Sequence, residues 1–419
     1  MTTVRGVGTG MAGLAGMTRL TRLTRLTARL RLFAGLVLLL GVGCATVLHR
    51  SAPLTPTMAA WRELREGRVD AATAGFAAVL VHDPSDAGAL FAMANLAFEH
   101  GDSAAAFDRA LTLIEAASRG QDSLAVLLST ATVSRVSRLL AELTDRRAAE
   151  ERVLAVRPDR LPWQAHYLLA LTVLDIARKR ADQKLYRRAM ARLGCADSME
   201  IVGAWGRLPL LDLDGDAFVA SEPRPLMPVG CQFQLNDVDN RNGVRVLRST
   251  LMLPAGHYDL VLDYAGPARI RLDGGAWRAH GGSAAVYGPR ASAERIDVAA
   301  GKHIVEIRMG SYGSTVDVGL LAIPAGNKVV PRAESDRAML DLAEALVANS
   351  TGDVDVMLER IDRLAADPKF ALGLAAAGRL GENDPTRPAD IMRDRARDLW
   401  QKAVAVDPAM ARVLSLIHI

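Results

Sequence analysis

The sequence predicts an α+β chain of several domains, with helical solenoid segments flanking an antiparallel β-sandwich module of jelly-roll type. Three observations predict it. Four stretches close in nearly the same way: FAAVLVHDP (76–84), ERVLAVRP (151–158), RIDRLAADP (360–368) and QKAVAVDP (401–408). Each reads as the last turns of an amphipathic helix, stopped by a proline that lacks an N–H and crowds the preceding turn. Between residues 198 and 325 the helical period disappears, and short alternating runs with glycine-bearing turns replace it. The length of 419 residues accommodates two or three such domains.

Residues 1–43 read as a leader. They hold six arginines and no acid, and the apolar run LFAGLVLLLGVG (32–43) leads directly to Cys44. A basic segment, a short apolar run and small residues describe a secretory signal peptide, and the run is shorter than the roughly 20 residues a membrane span needs. The Gly-Val-Gly before Cys44 resembles a bacterial lipobox, which implies lipidation of the Cys44 thiol and a linker over 44–56. The match departs at Gly41, where that family prefers leucine; an uncleaved short anchor and a plain secreted form are the alternatives. Charge follows the same division. The chain has 51 basic and 47 acidic side chains, net +4, but without the leader arginines residues 44–419 carry 45 against 47. A near-neutral mature protein has no electrostatic footprint for nucleic acid.

The first helical segment covers 57–197. Ala60, Gly67, Ala72, Phe76, Leu80 and Pro84 supply small residues, a turn glycine, a packing aromatic and a closing proline. Small residues let antiparallel helices approach closely, and Phe76 fills the groove one turn after Ala72. ALFAMANLAFEHGDSAAAFDRAL (89–111) reads as a second hairpin, turning at residues 101–102. In the second helical segment, 326–413, Ala396, Trp400, Ala403 and Pro408 fall at similar offsets. These positions resemble a degenerate tetratricopeptide (TPR) repeat. The resemblance implies stacked helix pairs that bind protein or peptide partners. An irregular, alanine-rich helical bundle is the plain alternative.

The module at 198–325 carries the strands. YDLVLDY (258–264) places Tyr258, Leu260, Leu262 and Tyr264 on one face and Asp259, Val261 and Asp263 on the other, the pattern of a half-buried strand. ARIRLD (268–273), RIDV (295–298), HIVEIRM (303–309) and TVDVGLLAI (315–323) continue the series, and Asp273 with Gly274 predicts a tight hairpin turn. PAGHYDLVL (254–262) and AAGKHIVEI (299–307) echo each other, as two strands of one module would. The pattern resembles small β-sandwich modules inserted in bacterial envelope proteins. The final LSLIHI (414–419) has no cap or turn and reads as a non-native tail on a truncated fragment. The whole order resembles the front end of envelope proteins that run TPR segment, β insert, further TPR and a transglutaminase-like domain.

Candidate chemistry is sparse. Asp212, Asp214 and Asp216 in DLDGD alternate like acids of a calcium loop, but Ala217 and Pro223 stand where an EF-hand needs glycine and a bidentate acid. A polar loop is the plainer reading, as it is for LNDVDNRNG (235–243). Cys195 and Cys231 form an even pair once Cys44 is set aside; a disulfide and two free thiols are both open. Trp205, Trp277, Tyr287 and Tyr312 could stack on sugar rings or plug the ends of the sandwich core. No histidine spacing or glycine loop announces a metal, phosphate or cofactor site, so no cofactor and no enzymatic activity are expected. The expected function is a lipid-anchored cell-envelope scaffold, periplasm-facing or on the outer surface, that holds protein or peptide partners. The alternatives are a region positioning a transglutaminase-like (peptidase-like) domain, and carbohydrate binding through the β module.

Overall fold

The structure, a computed structural model, describes residues 54–411 except 121, 206–212, 214–218, 237–241, 265, 281–290, 313–314, 327–335 and 383. Its architecture is α+β: N-terminal helix pairs, two antiparallel sheets stacked as a sandwich, and a C-terminal helical segment.

The N-terminal helices are α1 (Pro56–Arg65), α2 (Val69–His82), α3 (Ala87–Glu99), α4 (Ser103–Arg119), α5 (Ser123–Glu142), α6 (Arg146–Ala155), α7 (Trp163–Lys179) and α8 (Gln183–Leu193). After the strands come α9 (Arg337–Thr351), α10 (Val354–Ala365), α11 (Ala371–Gly381) and α12 (Ala389–Val406). The four recurrent closings behave as predicted: helices end at His82, Ala155, Ala365 and Val406, two or three residues before the proline. Seven of these helices start on an aspartate, among them Asp86, Asp102 and Asp122, whose carboxylate accepts a first-turn N–H. Each such cap is worth about 1 kcal/mol, because it satisfies an N–H the helix itself cannot.

Small residues set the helix packing. Ala60, Ala72 and Phe76 are all buried, so α1 and α2 meet in the register expected from the sequence. Trp61 is the centre of this core. Its ring centroid lies 5.7 Å from Phe76, 6.3 Å from Phe91 and 6.4 Å from Phe370, and its Nε1–H donates to the Gly88 carbonyl at 3.2 Å. Phe370 precedes α11, so one aromatic cluster joins the first hairpin to the C-terminal segment.

That junction is extensive. The inner helices α9 and α11 pack against α5 and α3, and both helical segments share a single apolar core. Buried Glu99, at the end of α3, pairs with Arg379 of α11, and His100 Nε2 lies 2.7 Å from the carboxylate of Asp407. Arg65 reaches Asp336 and Asp367, each at 3.6 Å. The chain therefore leaves the helices at α8, builds the sandwich, and returns to pack on its first helix pairs. Helix α5 is long and apolar enough to cross a membrane by composition, but most of it is buried here as a core helix.

Among the described residues the strands are β1 (Met199–Trp205), β2 (Val219–Pro225), β3 (Met227–Val229), β4 (Gln232–Asn236), β5 (Asn242–Leu253), β6 (Gly256–Asp263), β7 (Ala268–Leu272), β8 (Arg278–His280), β9 (Ala291–Val298), β10 (Gly301–Tyr312) and β11 (Thr315–Pro324). One sheet has the order β2-β1-β5-β10-β7-β8 and the other β3-β4-β11-β6-β9. Leu247, Leu251, Val305 and Ile307 of the first sheet meet Phe233, Leu260, Leu262 and Leu320 of the second in the sandwich core. Asp273 and Gly274 both have positive φ, 49° and 72°, as a two-residue hairpin turn of the I′ kind requires.

One expectation is corrected. Strand β6 is buried on both faces, not one: Asp259, Val261 and Asp263 are 5%, 0% and 3% exposed. The reason is a third layer. Ala170 and Leu174 of α7, with Ala189 and Leu193 of α8, cover Val261, Leu321 and Ile323 on the outer face of the second sheet. The two acids survive burial because they are paired: Arg295 binds Asp259 through two nitrogens at 2.9 and 3.1 Å, while Asp263 accepts from Tyr167 at 2.5 Å and Gln232 at 3.0 Å. The chain passes from α8 into the sheet at Gly194, whose φ is +59°; a Cβ there would stand 2.1 Å from the Ala322 carbonyl oxygen. Backbone bonds Ala196 N–H to Leu320 and Ala322 N–H to Gly194 then tie this exit to β11.

Candidate functional site

A cleft of about 1100 Å³ lies in the helical body at the end where the inner helices begin. Helices α1, α3, α5 and α9 all start there, while α2 and α4 finish there. The hairpin topology produces this, since antiparallel pairs bring every inner N-terminus to the same end.

Two kinds of residue line the cleft. Its walls are small, including Ala71, Gly75 and Ala78 from α2, and so admit another backbone closely. Its rim is acidic. Glu63, Asp83, Asp86, Asp122 and Asp336 face Arg119 and His82. Asp86 accepts from the Ala89 N–H at 2.8 Å and the Thr57 hydroxyl at 2.9 Å; Asp122 accepts from the Leu124 N–H at 3.0 Å. Both thereby satisfy first-turn N–H groups that the helices themselves leave unpaired. The hydrogen bond from Arg68 lowers the pKa of Glu63, so it is ionised at neutral pH. Five carboxylates thus outnumber Arg119 and His82 on this rim, with Glu63 paired to Arg68 and Asp336 to Arg65.

The residues singled out in the sequence are distributed elsewhere. Cys44, Asp212, Asp214, Asp216 and Tyr287 lie outside the described residues. The backbones of Trp205 and Tyr312 belong to β1 and β10, but their side chains are outside the description. Trp277 does not plug the core. It lies against the outer face of the first sheet, with the guanidinium carbons of Arg271 and Arg308 each 4.4 Å from its ring centroid. A sugar stacking on the surface they cover would have to displace them. Cys195 and Cys231 are joined, S–S 1.98 Å, at the seam between α8 and β4. Among the described residues no group of three or more His, Cys, Asp or Glu is placed to hold a metal ion.

The cleft was not identified from the sequence. Its signal was present, as the aspartates that open DAGAL, DSLAVLL and DRAML, each at a helix start. Sequence alone could not bring three caps from distant positions to one rim. The chain matches no known protein-family model, and none of the curated proteins is similar to it.

Proposed function

We propose that this protein is a TPR-type scaffold of the bacterial cell envelope, anchored through a lipid on Cys44, whose helical body holds a basic peptide segment of a protein partner. The acidic, small-walled cleft carries this reading. In a repeat solenoid the inner-helix face is the usual groove for a partner. Here α9 and α11 occupy that face, which leaves the cleft at the ends of the inner helices as the accessible concavity. Its volume suits several residues of an extended chain, and its charge selects lysine or arginine. The lipid anchor rests on the leader and lipobox resemblance.

Fluorescence anisotropy with a matched pair of lysine-rich and glutamate-rich peptides tests the site. The basic peptide should bind, and more weakly as salt rises. Ala78→Trp, at an exposed cleft position, should abolish binding without changing the thermal midpoint. Equal affinity for both peptides, or full binding by the Ala78→Trp protein, would reject the cleft as the site. Mass spectrometry of the N-terminal peptide checks the anchor separately; an unmodified Cys44 within a longer intact peptide would rule it out.

A further inference from the structure

A second cavity, of about 300 Å³, lies between α6, α7 and α8, far in sequence from the acidic cleft. Val153, Val156, Leu169, Val173 and Leu185 form apolar walls. One polar group interrupts them. His166 lines the cavity at 1% exposure, and neither of its ring nitrogens has a hydrogen-bond partner. Buried polar side chains are nearly always hydrogen-bonded, so an imidazole with both nitrogens unmet on a cavity wall calls for a partner inside that cavity. Burial pulls its pKa down to about 4, with the nearby charge of Arg192 acting in the same direction against Asp159. At neutral pH the ring is therefore uncharged and presents one N–H and one lone pair.

The mouth has the opposite character. Arg188 and Arg192, both on α8, are exposed and have no ion pair among the described residues. The third arginine, Arg180, is already used: its Nε and Nη1 donate to Glu150 and Glu151 at 2.6 and 2.8 Å. Asp182 is likewise committed, capping α8 through the Leu185 N–H at 2.9 Å.

We propose that this cavity is a binding site for a small amphiphilic carboxylic acid carrying a hydroxyl at its far end. The carboxylate sits between Arg188 and Arg192, the apolar body lies on the valine and leucine walls, and the hydroxyl exchanges hydrogen bonds with His166. A hydroxyl is both donor and acceptor, which matches a neutral imidazole. The volume is at the lower end of the range for ligand pockets, so the body is a single ring or a short chain.

The test uses the full chain, selectively labelled at histidine, with 3-(4-hydroxyphenyl)propanoate as probe. Saturable one-site binding that shifts the His166 imidazole resonances is expected. 3-Phenylpropanoate, which lacks the hydroxyl, should bind about tenfold more weakly or worse, because it leaves the imidazole unmet. 4-Ethylphenol, which lacks the carboxylate, should lose a similar factor, as should the probe against Arg188→Gln/Arg192→Gln, whose surface changes leave the fold intact. The proposal is overturned if the probe fails to saturate at millimolar concentration, if His166 resonances do not move, or if either truncated analogue binds as tightly as the probe.

Discussion

The two sheets of the sandwich share one core, yet their outer faces are built on different principles. On the second sheet, Val261, Leu321 and Ile323 point outward and are buried under α7 and α8. On the first, the outward positions of β5, β7 and β10 hold Arg248, Arg271, Glu306 and Arg308. Glu306 bridges its neighbours, 3.1 Å from Arg248 and 2.6 Å from the Arg271 Nε. Burial works against that carboxylate, but the two arginines outweigh it and hold its pKa down. One sheet is thus a docking layer for the helical body, while the other carries a charged ladder beside a small apolar cluster of Val202, Val244, Val246 and Leu213. The difference shows how an inserted module can be held firmly: a third layer covers one face, and charge pairing serves the other.

The largest expected effect comes from removing the cover. A polypeptide of residues 199–324 should aggregate, because its second sheet would present a contiguous apolar face. One of residues 146–324, which restores the α7 and α8 cover but exposes the faces of α6 and α7 that pack in the helical core, should aggregate less by size-exclusion chromatography. A soluble, monomeric 199–324 would mean that the helices do not complete the sandwich.

Single substitutions make the same comparison within the full chain. Leu321→Ala, at a fully buried outward position, should cost about 2–5 kcal/mol in chemical unfolding. Arg248→Ala, on the charged face, should cost about 1 kcal/mol or less, since its side chain is 44% exposed. Equal losses would erase the distinction between the faces.

Replacing Cys195 and Cys231 by alanine should cost about 2–4 kcal/mol, the usual value for a disulfide closing a loop of this size. The loss should appear in the unfolding midpoint and disappear when both proteins are compared in reductant.

The smallest effect concerns two histidines of opposite sign. His303 Nδ1 lies 2.7 Å from Asp273, and its Nε2–H donates to the Ala299 carbonyl at 2.9 Å. The Asp273 bond, then the Ala299 bond, raises its pKa. Burial works against the Asp273 carboxylate, but His303 and the Ile304 N–H together hold its pKa down. This pair's stabilisation is complete below the unfolded histidine pKa, near 6.5, down to the acid range where Asp273 protonates. It fades as pH rises through the raised value. His166 behaves oppositely: its lowered pKa means that stability is present above about 6.5 and is lost as pH falls toward 4. Asp273→Asn keeps a residue suited to the turn and should flatten the alkaline decline of the thermal midpoint, leaving the His166 decline between about 6.5 and 4 in place. A decline unchanged by that substitution would show that another group titrates.

Helix ends, turn residues and alternating strands were legible in the sequence because they are local. A proline stops a helix and an Asp-Gly pair turns a hairpin whatever surrounds them. Strand β5 was not legible. Arg245 and Arg248 interrupt its apolar pattern, and Arg245 is in fact 1% exposed, paired in register with the core residue Met309. Nor did anything in its own helix mark His166 as facing a cavity, since α6 and α8 supply the walls opposite it.

By itself, then, the sequence determined where the four proline-closed helices end, where β6, β7, β9, β10 and β11 run, and where Phe76 and Ala72 pack, because propensity and periodicity act over a few residues. Only the tertiary structure decided that α9 and α11 return to the first helix pairs, that β6 is covered on both faces, and that Asp86, Asp122 and Asp336 share one rim. Those outcomes depend on apolar faces distant in the chain finding one another. Burial rewards any partner of the right shape, so the choice among partners is made by the assembled fold.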